Sequence, residues 1–242
     1  MADFIVFKNV HKSFDDHHVL KGINLTVFTG ETIVILGGSG AGKSVLLRLI
    51  NGLLRPNRGH IYVEGYDITE FSEEELIPIR TTVGMVFQGG ALFDSLTVFE
   101  NVAYALREHT QMTEKEIAQR VRKMLRLVGL ENAEEMMPSD LSGGMMKRVS
   151  LARSLAIEPK GLLYDEPTTG LDPIIAKKIN TMIRNLQKIL GVTSIVVTHD
   201  IKSAFTVADR IALLYKGKIH FVGTVEETRT TDDPIVQEFI ES

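Results

Sequence analysis

The sequence feature that most constrains the fold is a glycine-rich stretch between an apolar run and a helical pattern. Residues 37–44 read GGSGAGKS and match the pattern G-x-x-x-x-G-K-[ST]. The apolar run covers residues 31–36, and apolar side chains at helical spacing follow over residues 43–54. Glycines let successive backbone N–H groups converge on phosphate oxygens, and the helix N-terminus adds partial positive charge. The stretch therefore predicts a phosphate-binding loop in an α/β fold.

The end of this loop carries the side chains that a nucleotide and its metal ion require. Lys43 can reach the β- and γ-phosphates, and the hydroxyl of Ser44 can bind Mg²⁺. A glycine-rich turn with a stray lysine is the alternative, but chance produces the pattern in only about 1% of chains of this length. We therefore predict nucleotide binding. The predicted contact residues are Gly37, Gly38, Ser39, Gly40, Ala41, Gly42, Lys43, Ser44 and Val45.

A second apolar run ends in two adjacent carboxylates, Asp165 and Glu166, followed by Pro167. Consecutive side chains at a strand end point to opposite sides, so the two acids can take different roles. Asp165 is predicted to steady Mg²⁺, and Glu166 to orient or deprotonate the attacking water. Alone, the pair would be interpreted as a solvated acidic turn. The phosphate loop favours the catalytic interpretation.

Histidines follow two different patterns. His199 comes directly after the apolar run 194–198, so a parallel sheet would bring it to the edge where ligands collect. A lone histidine at a strand end is more often structural, but this position favours a functional role. His11, His17 and His18 lie in a polar turn without carboxylates arranged around them, and we do not predict a metal site there.

The remaining pattern predicts a single domain, residues 1–242, with a helical insertion. Short apolar strands alternating with helices indicate a mainly parallel sheet covered on both faces. A hairpin over residues 210–222 predicts an antiparallel β edge, and helical patterns predict an inserted helical subdomain at about 89–155. The core is then expected at 1–88 and 156–225. A short C-terminal tail, 226–242, follows.

Composition excludes several classes of function. The absence of cysteine removes disulfides, cysteine-ligated zinc, iron–sulfur clusters and thiol catalysis. Lys plus Arg number 27 against 31 Asp plus Glu, so we expect no nucleic-acid partner. No apolar stretch approaches the roughly 18 to 20 residues that span a bilayer, and no signal peptide is evident. We expect a cytoplasmic chain that reaches a membrane only through a partner.

A third motif carries the resemblance to a known family. Residues 141–148 read LSGGMMKR, a small-residue turn that opens a helix with Ser142 as the N-cap, and alone it is only a capped helix. Six sequence elements follow one another along the chain, at residues 37–44, Gln88, 141–144, 162–166, 170–172 and His199. Their order resembles that of the ATP-binding cassette (ABC) ATPases, in which the corresponding elements are, in turn, the Walker A motif, the Q-loop, the signature, the Walker B motif, the D-loop and the switch histidine.

The resemblance implies a P-loop NTPase with a RecA-like core that hydrolyses ATP with Mg²⁺. It implies a head-to-tail homodimer in which each ATP lies between the phosphate loop of one subunit and the signature of the other. The implied roles are adenine stacking by Phe14, a link from Mg²⁺ to the transporter interface by Gln88, catalysis by Glu166, γ-phosphate sensing by His199, and nucleotide contacts by Ser142, Gly143, Gly144 and Asp172. The alternative role for Phe14 is that of a core aromatic at a strand end.

Two residues depart from the common ABC pattern. Met145 stands where most transport ATPases carry Gln, and Val45 where many carry Thr. Met145 and the segment 88–102 resemble the subfamily that works with Mla-type and Mce-associated permeases, which move phospholipids or other lipids. The implied protein is the ATPase subunit of a lipid transporter, peripheral on the inner membrane through a separate permease, with accessory or periplasmic-side lipid-binding subunits. Alternatives are an amino-acid or other small-solute importer ATPase, or a soluble ABC ATPase without a transport role.

The segment after Gln88 is unusually apolar for a loop. If its apolar side chains form an exposed groove, they provide a docking site for the permease. If they pack inward, they belong to the helical subdomain, and the sequence leaves both interpretations open. The side chains concerned are Leu92, Phe93, Val98 and Phe99.

Overall fold

Ten strands form two sheets within residues 2–241, the part of the chain that the computed structural model describes. The strands are β1 (Asp3–Phe14), β2 (His17–Phe28), β3 (Thr32–Leu36), β4 (Arg58–Val63), β5 (Tyr66–Asp67), β6 (Val83–Val86), β7 (Gly161–Asp165), β8 (Thr193–Thr198), β9 (Arg210–Tyr215) and β10 (Lys218–Thr224). The α-helices are α1 (Lys43–Ile50), α2 (Glu73–Thr82), α3 (Val98–His109), α4 (Glu114–Leu127), α5 (Gly143–Leu155), α6 (Pro173–Leu190), α7 (Ile201–Val207), α8 (Val225–Thr230) and α9 (Pro234–Glu241).

The larger sheet has the order β10-β9-β3-β8-β7-β6, and only β10 runs antiparallel to its neighbour. Every residue of β3, β7 and β8 is buried, because both faces of the sheet are covered. Val34 and Leu36 pack with the cluster that includes α6, whereas Ile33 and Ile35 pack with α1 on the other face. The predicted parallel core with an antiparallel edge is confirmed. The segments that follow β3, β7 and β8 meet at one edge.

The second sheet is antiparallel, with the order β2-β1-β4-β5. Strand β2 begins at His17, because a tight turn with Asp15 at φ 49° joins it to β1. The apolar faces of β1 and β2 share a core cluster with α1. This packing brings the start of β2 against the phosphate loop.

Helices α3, α4 and α5 lie between β6 and β7, which are parallel neighbours in the larger sheet. Ser142 caps α5, as the sequence predicted, and Thr113 caps α4 through a capping box. The apolar faces of these helices join the cluster on the α6 side of the sheet. The segment predicted as a tail folds into α8 and α9. Within residues 2–241, no helix combines the length and hydrophobicity that crossing a bilayer requires.

Candidate functional site

The phosphate loop joins β3 to α1 and has a backbone that favours glycine. Gly40 and Gly42 have φ values of 75° and 103°, in the left-handed region. A Cβ on Gly37 would lie 2.7 Å from the Leu214 carbonyl oxygen, so close packing also demands glycine there. At Gly38 and Gly40, a Cβ would meet nothing within 4 Å. The loop therefore presents bare backbone to an open space, as a phosphate group requires.

That open space is a cavity of about 540 Å³ at the edge where β3, β7 and β8 end. It brings together most of the predicted loop residues with Gln88, Glu166 and His199. Its lining residues are His17, Val19, Ser39, Gly40, Ala41, Gly42, Lys43, Ser44, Val45, Gln88, Glu166, Thr169 and His199. The predicted residues outside this lining are Phe14, Gly37, Gly38, Ser142, Gly143, Gly144, Asp165 and Asp172.

Lys43 is buried, with 6% of its surface exposed, and its ammonium lies between the loop and the second acid. It donates hydrogen bonds to the carbonyls of Gly37 (2.9 Å) and Gly38 (3.1 Å). Its Nζ also lies 3.3 Å from Glu166 Oε1. The cation at the end of the phosphate loop therefore forms an ion pair with Glu166, the carboxylate that is predicted to orient or deprotonate the attacking water.

Glu166 follows β7 directly and has φ 48°, an uncommon conformation for a residue with a side chain. Its carboxylate accepts from the hydroxyls of Thr169 (3.1 Å) and Thr198 (3.2 Å), and His199 Nδ1 lies 3.0 Å from Oε2. Burial alone raises the pKa of this carboxyl, but the hydrogen bond from His199 and the charge of Lys43 hold the pKa below its usual range. Glu166 is therefore ionised at neutral pH.

Asp165, the last residue of β7, points toward the start of α1. The hydroxyl of Ser44 donates to Asp165 Oδ1 at 2.7 Å, and Asp165 is 95% buried, with 5% exposed. Gln88 lines the same cavity. Hydroxyl, carboxylate and amide oxygens suit Mg²⁺, which usually completes its octahedron with phosphate oxygens and water. The residues present therefore fit a magnesium ion bound together with a nucleotide.

The signature turn lies outside the cavity. Ser142 and Gly143 are exposed, and Ser142 Oγ accepts a hydrogen bond from the Met145 amide at 3.3 Å. A Cβ on Gly144 would lie only 2.7 Å from Ile175 Cγ2, so this glycine allows α5 to approach α6. Asp172 caps α6, accepting from the amides of two following residues. Within this chain, these residues have local structural roles and do not meet the phosphate loop.

Several residues at the site were missed by the sequence analysis. His17 and Val19 line the cavity from β2, and Thr169 and Thr198 hold the Glu166 carboxylate. No motif marks the hydroxyls, although both lie within three residues of a predicted site residue. Phe14 pairs with His17 across the hairpin and is 41% exposed, with Lys12 Nζ 5.1 Å from its ring centroid. It is thus not the core aromatic of the alternative interpretation.

The apolar segment after Gln88 divides between the two interpretations. Val98 is completely buried and belongs to the core, so the inward-packing interpretation holds for this residue of the first turn of α3. Leu92 and Phe99 are partly buried against the same core. Phe93 is 43% exposed, and its ring lies 4.9 Å from that of Tyr104, which is also exposed. An aromatic pair therefore remains on the surface beside the Gln88 loop.

Known proteins resemble this chain over nearly its whole length. The family model described as ABC transporter matches residues 20–169. The probable ribonucleotide transport ATP-binding protein mkl of Mycobacterium tuberculosis (strain ATCC 25618 / H37Rv) is 43% identical over 240 residues, covering 99% of this chain and 67% of that protein. Protein TRIGALACTOSYLDIACYLGLYCEROL 3, chloroplastic, of Arabidopsis thaliana is 42% identical over 249 residues, and the match covers 96% of this chain and 72% of that protein.

A third relative is the intermembrane phospholipid transport system ATP-binding protein MlaF of Escherichia coli (strain K12), 39% identical over 241 residues. The match covers 100% of this chain and 90% of that protein. Among solved structures, the dimeric structure of MJ0796, a bacterial ABC transporter cassette, matches with a TM-score of 0.85 at 34% identity. It covers 91% of this chain and 98% of the cassette.

Proposed function

The chain belongs to the ABC transporter family, and from that membership we propose that it is the ATPase subunit of a lipid transport system that drives a separate membrane permease. The observation that carries the ATPase assignment is the cavity in which the phosphate loop, Glu166 and His199 meet. Asp165 is joined to this cavity by its hydrogen bond with Ser44. The lipid assignment rests on relatives that match nearly the whole chain and on Met145 in the signature.

The residues of the cavity have different roles in ATP hydrolysis. The backbone of the phosphate loop binds the phosphates, and Lys43, released from Glu166, supplies positive charge to the β- and γ-phosphates. Glu166, ionised because of its lowered pKa, accepts the proton of the attacking water or orients that water. His199 keeps Glu166 in place through its Nδ1 and lines the cavity, where it would sense the γ-phosphate.

Ser44, Asp165 and Gln88 are the residues that would hold Mg²⁺. When bound, the ion neutralises charge that builds up on the phosphate oxygens. The hydrogen bond from the Ser44 hydroxyl to Asp165 Oδ1 keeps these two oxygens next to each other, where they would bind the ion. Phe14 and Val45 are proposed to contact the nucleotide as well, Phe14 by stacking on adenine.

A homodimer completes the site in this proposal. The signature residues Ser142, Gly143 and Gly144 lie away from the cavity of their own chain, and two of them are exposed. They can therefore contact the nucleotide of a second subunit, together with Asp172. The dimeric structure of the MJ0796 cassette supports this arrangement.

The permease is proposed to dock beside the Gln88 loop. Phe93 and Tyr104 expose an aromatic pair there, and Arg153 lies 6.0 Å from the Phe93 ring. Exposed aromatics beside an arginine are typical anchors of protein interfaces. Through this contact the chain would sit on the cytoplasmic side of the inner membrane as a peripheral subunit. Accessory or periplasmic-side lipid-binding subunits would complete the system.

The names of the relatives point to two substrates. MlaF is named for intermembrane phospholipid transport and the chloroplastic protein for a galactolipid, whereas mkl is named for ribonucleotide transport. Two of the three names concern lipids, so phospholipid is the proposed cargo. The acidic net charge of −4 argues against a nucleic-acid partner, and the relatives do not favour an amino-acid importer or a soluble ABC ATPase.

The test is to purify the chain with its co-purifying membrane subunits and reconstitute the complex in vesicles containing a fluorescent phospholipid. We expect ATP-dependent movement of the phospholipid and none of a ribonucleotide supplied to the same vesicles. Movement of the ribonucleotide alone would overturn the lipid assignment. Absence of ATP hydrolysis by the purified complex would overturn the function as a whole.

A further inference from the structure

Helix α5 carries more than the signature turn, because its side chains also hold the backbone of the loop that contains Gln88. Segment 85–91 leads out of β6 toward the exposed aromatic pair. Three side chains of α5, named here the α5 clamp, donate to four of its carbonyls. They are Ser154 Oγ to Met85 (2.9 Å), Lys147 Nζ to Gln88, Arg153 Nη2 to Gly90 (3.1 Å) and Arg153 Nη1 to Ala91 (2.7 Å).

Within the α5 clamp, Lys147 is the residue whose charge interacts with the two carboxylates of the site, Asp165 and Glu166. Lys147 is 8% exposed, so its ammonium group is largely removed from water at the interface between the helical insertion and the larger sheet. Burial lowers the pKa of Lys147 below its usual value, and the charges of Asp165 and Glu166 offset only part of this decrease. The ammonium therefore lies in the field of both acids of the site. No sequence motif predicted a role for it.

A buried cation with a carbonyl as its hydrogen-bond partner is costly to keep if packing is its only purpose. A methionine of similar length would fill the same interface without desolvating a charge. Gln88, in contrast, is exposed and lines the nucleotide cavity, so packing does little to hold its side chain there. The hydrogen bond from Lys147 to the Gln88 carbonyl anchors this residue from behind.

We propose that Lys147 is a positioning residue that holds the Gln88 backbone so that the Gln88 side chain faces the Ser44–Asp165 pair. Lys147 does not touch the nucleotide in this arrangement, and it acts through Gln88. This inference rests on the proposed ATPase function and names a residue that regulates its metal site.

The test measures ATP hydrolysis by the full chain as a function of Mg²⁺ concentration. Wild type is measured first, because its failure to hydrolyse ATP would refute the proposed function and not the role of Lys147. Lys147→Met keeps the length of the side chain and removes the charge. We expect kcat to fall about tenfold and the Mg²⁺ concentration for half-maximal rate to rise about tenfold, as for loss of a hydrogen bond from a charged donor. Lys147→Arg keeps a cation within reach and should stay within about threefold of wild type.

A double-mutant cycle with Gln88→Ala separates positioning from general damage. If Lys147 acts through Gln88, the double variant should be no slower than Gln88→Ala alone. Multiplication of the two single losses would overturn the proposal, as would equal losses in Lys147→Arg and Lys147→Met. A wild-type Mg²⁺ profile in Lys147→Met would overturn it too.

Arg120→Met is the matched control. Arg120 is a cation of α4, in the same helical insertion. It donates a hydrogen bond to the carbonyl of Ala156, just after the C-terminus of α5, and it forms an ion pair with Glu158. We expect a wild-type Mg²⁺ profile, and the same shift as in Lys147→Met would overturn the proposal. Thermal unfolding of every variant identifies loss of structure. If Lys147→Met does not fold, the same double-mutant cycle is measured with Lys147→Gln. This substitution also removes the charge but keeps a polar side chain.

Discussion

The N-termini of α1 and α5 are both small-residue turns that open a helix, yet they offer a ligand different chemistry. Gly42 at the start of α1 provides no side-chain cap, so the first amides remain free for an anion. Ser142 at the start of α5 caps its own helix through the Met145 amide. The α1 turn adjoins Lys43, Asp165 and Glu166, whereas the α5 turn is exposed to solvent.

The difference shows that a helix N-terminus becomes a binding site through its surroundings. Around α1, a cation and two carboxylates come from the same chain, so the phosphate end of the site is complete in one subunit. Around α5, the neighbours supply only packing, such as the Gly144 contact with α6. Variants of the first region should therefore fail in the isolated chain, and variants of the second only where another subunit is present.

Lys43→Ala is expected to have the largest effect. It removes the charge that offsets the β- and γ-phosphates, so ATP hydrolysis should be abolished and nucleotide binding strongly weakened. A nucleotide-binding assay and a turnover assay on the purified chain check this. Lys178→Ala, which removes an exposed lysine of α6, is the control. Near-normal binding and turnover by Lys43→Ala would refute the assignment of the phosphate loop.

Glu166→Gln is expected to keep ATP and Mg²⁺ binding but to slow hydrolysis by about 10² or more, the contribution typical of a general base. Because the nucleotide is not consumed, an ATP-bound dimer should accumulate. Size-exclusion chromatography in ATP measures the dimer, and sizing without nucleotide is the control. A monomer with wild-type turnover would mean that this carboxylate is an ordinary turn residue.

Phe93→Ala tests the exposed aromatic surface, which lies beside Arg153 in the last turn of α5, at the opposite end of this helix from the signature turn. Truncation of a well-packed aromatic anchor costs about 2 kcal/mol, roughly a thirtyfold loss of affinity, so association with the permease should fail. Hydrolysis by the isolated subunit should be unchanged, because the nucleotide cavity is built from other segments. Tyr66→Ala, at an aromatic that is 65% exposed elsewhere, is the control.

Two results would contradict the docking role of Phe93. Joint loss of thermal stability and of hydrolysis would place this ring in the core of the insertion. Unchanged stability, hydrolysis and co-purification would locate the permease contact on another surface.

Ser142→Asp is expected to have the smallest effect and separates the two regions most directly. Aspartate caps a helix as well as serine does, so the fold should be preserved. The added negative charge would face the partner's nucleotide and, screened by solvent, should slow hydrolysis about tenfold. Thr113→Asp changes the cap of α4 in the same way and should have no effect.

Mixing the Ser142→Asp and Lys43→Ala chains provides the decisive result. In a mixed dimer of the proposed kind, one site carries both changes and the other carries neither. Turnover above that of either variant alone is therefore expected. If mixing restores nothing, both regions act within one chain and the composite site is refuted.

Motif spacing alone determined the chemistry-bearing residues near the phosphates. A glycine-rich loop after an apolar run, and an acidic pair after another, specify strand ends, because apolar runs of four to six residues in an α/β chain are buried strands. Parallel pairing of β3 with β8 and of β8 with β7 then places Lys43, Glu166 and His199 at one edge. For this reason the fold class and the family were predictable from the sequence.

The tertiary structure decided the partners that come from distant segments. Val19 meets the phosphate loop because the β1–β2 hairpin packs over α1, and Lys147 reaches Gln88 because α5 crosses the end of β6. Val98 and Phe93 are both apolar, yet Val98 packs into the core from the first turn of α3, whereas Phe93 lies in the loop before this helix and stays on the surface. Local pattern specifies which face of an element is apolar, but the neighbours that cover the face, and the charges buried between them, depend on how the elements pack.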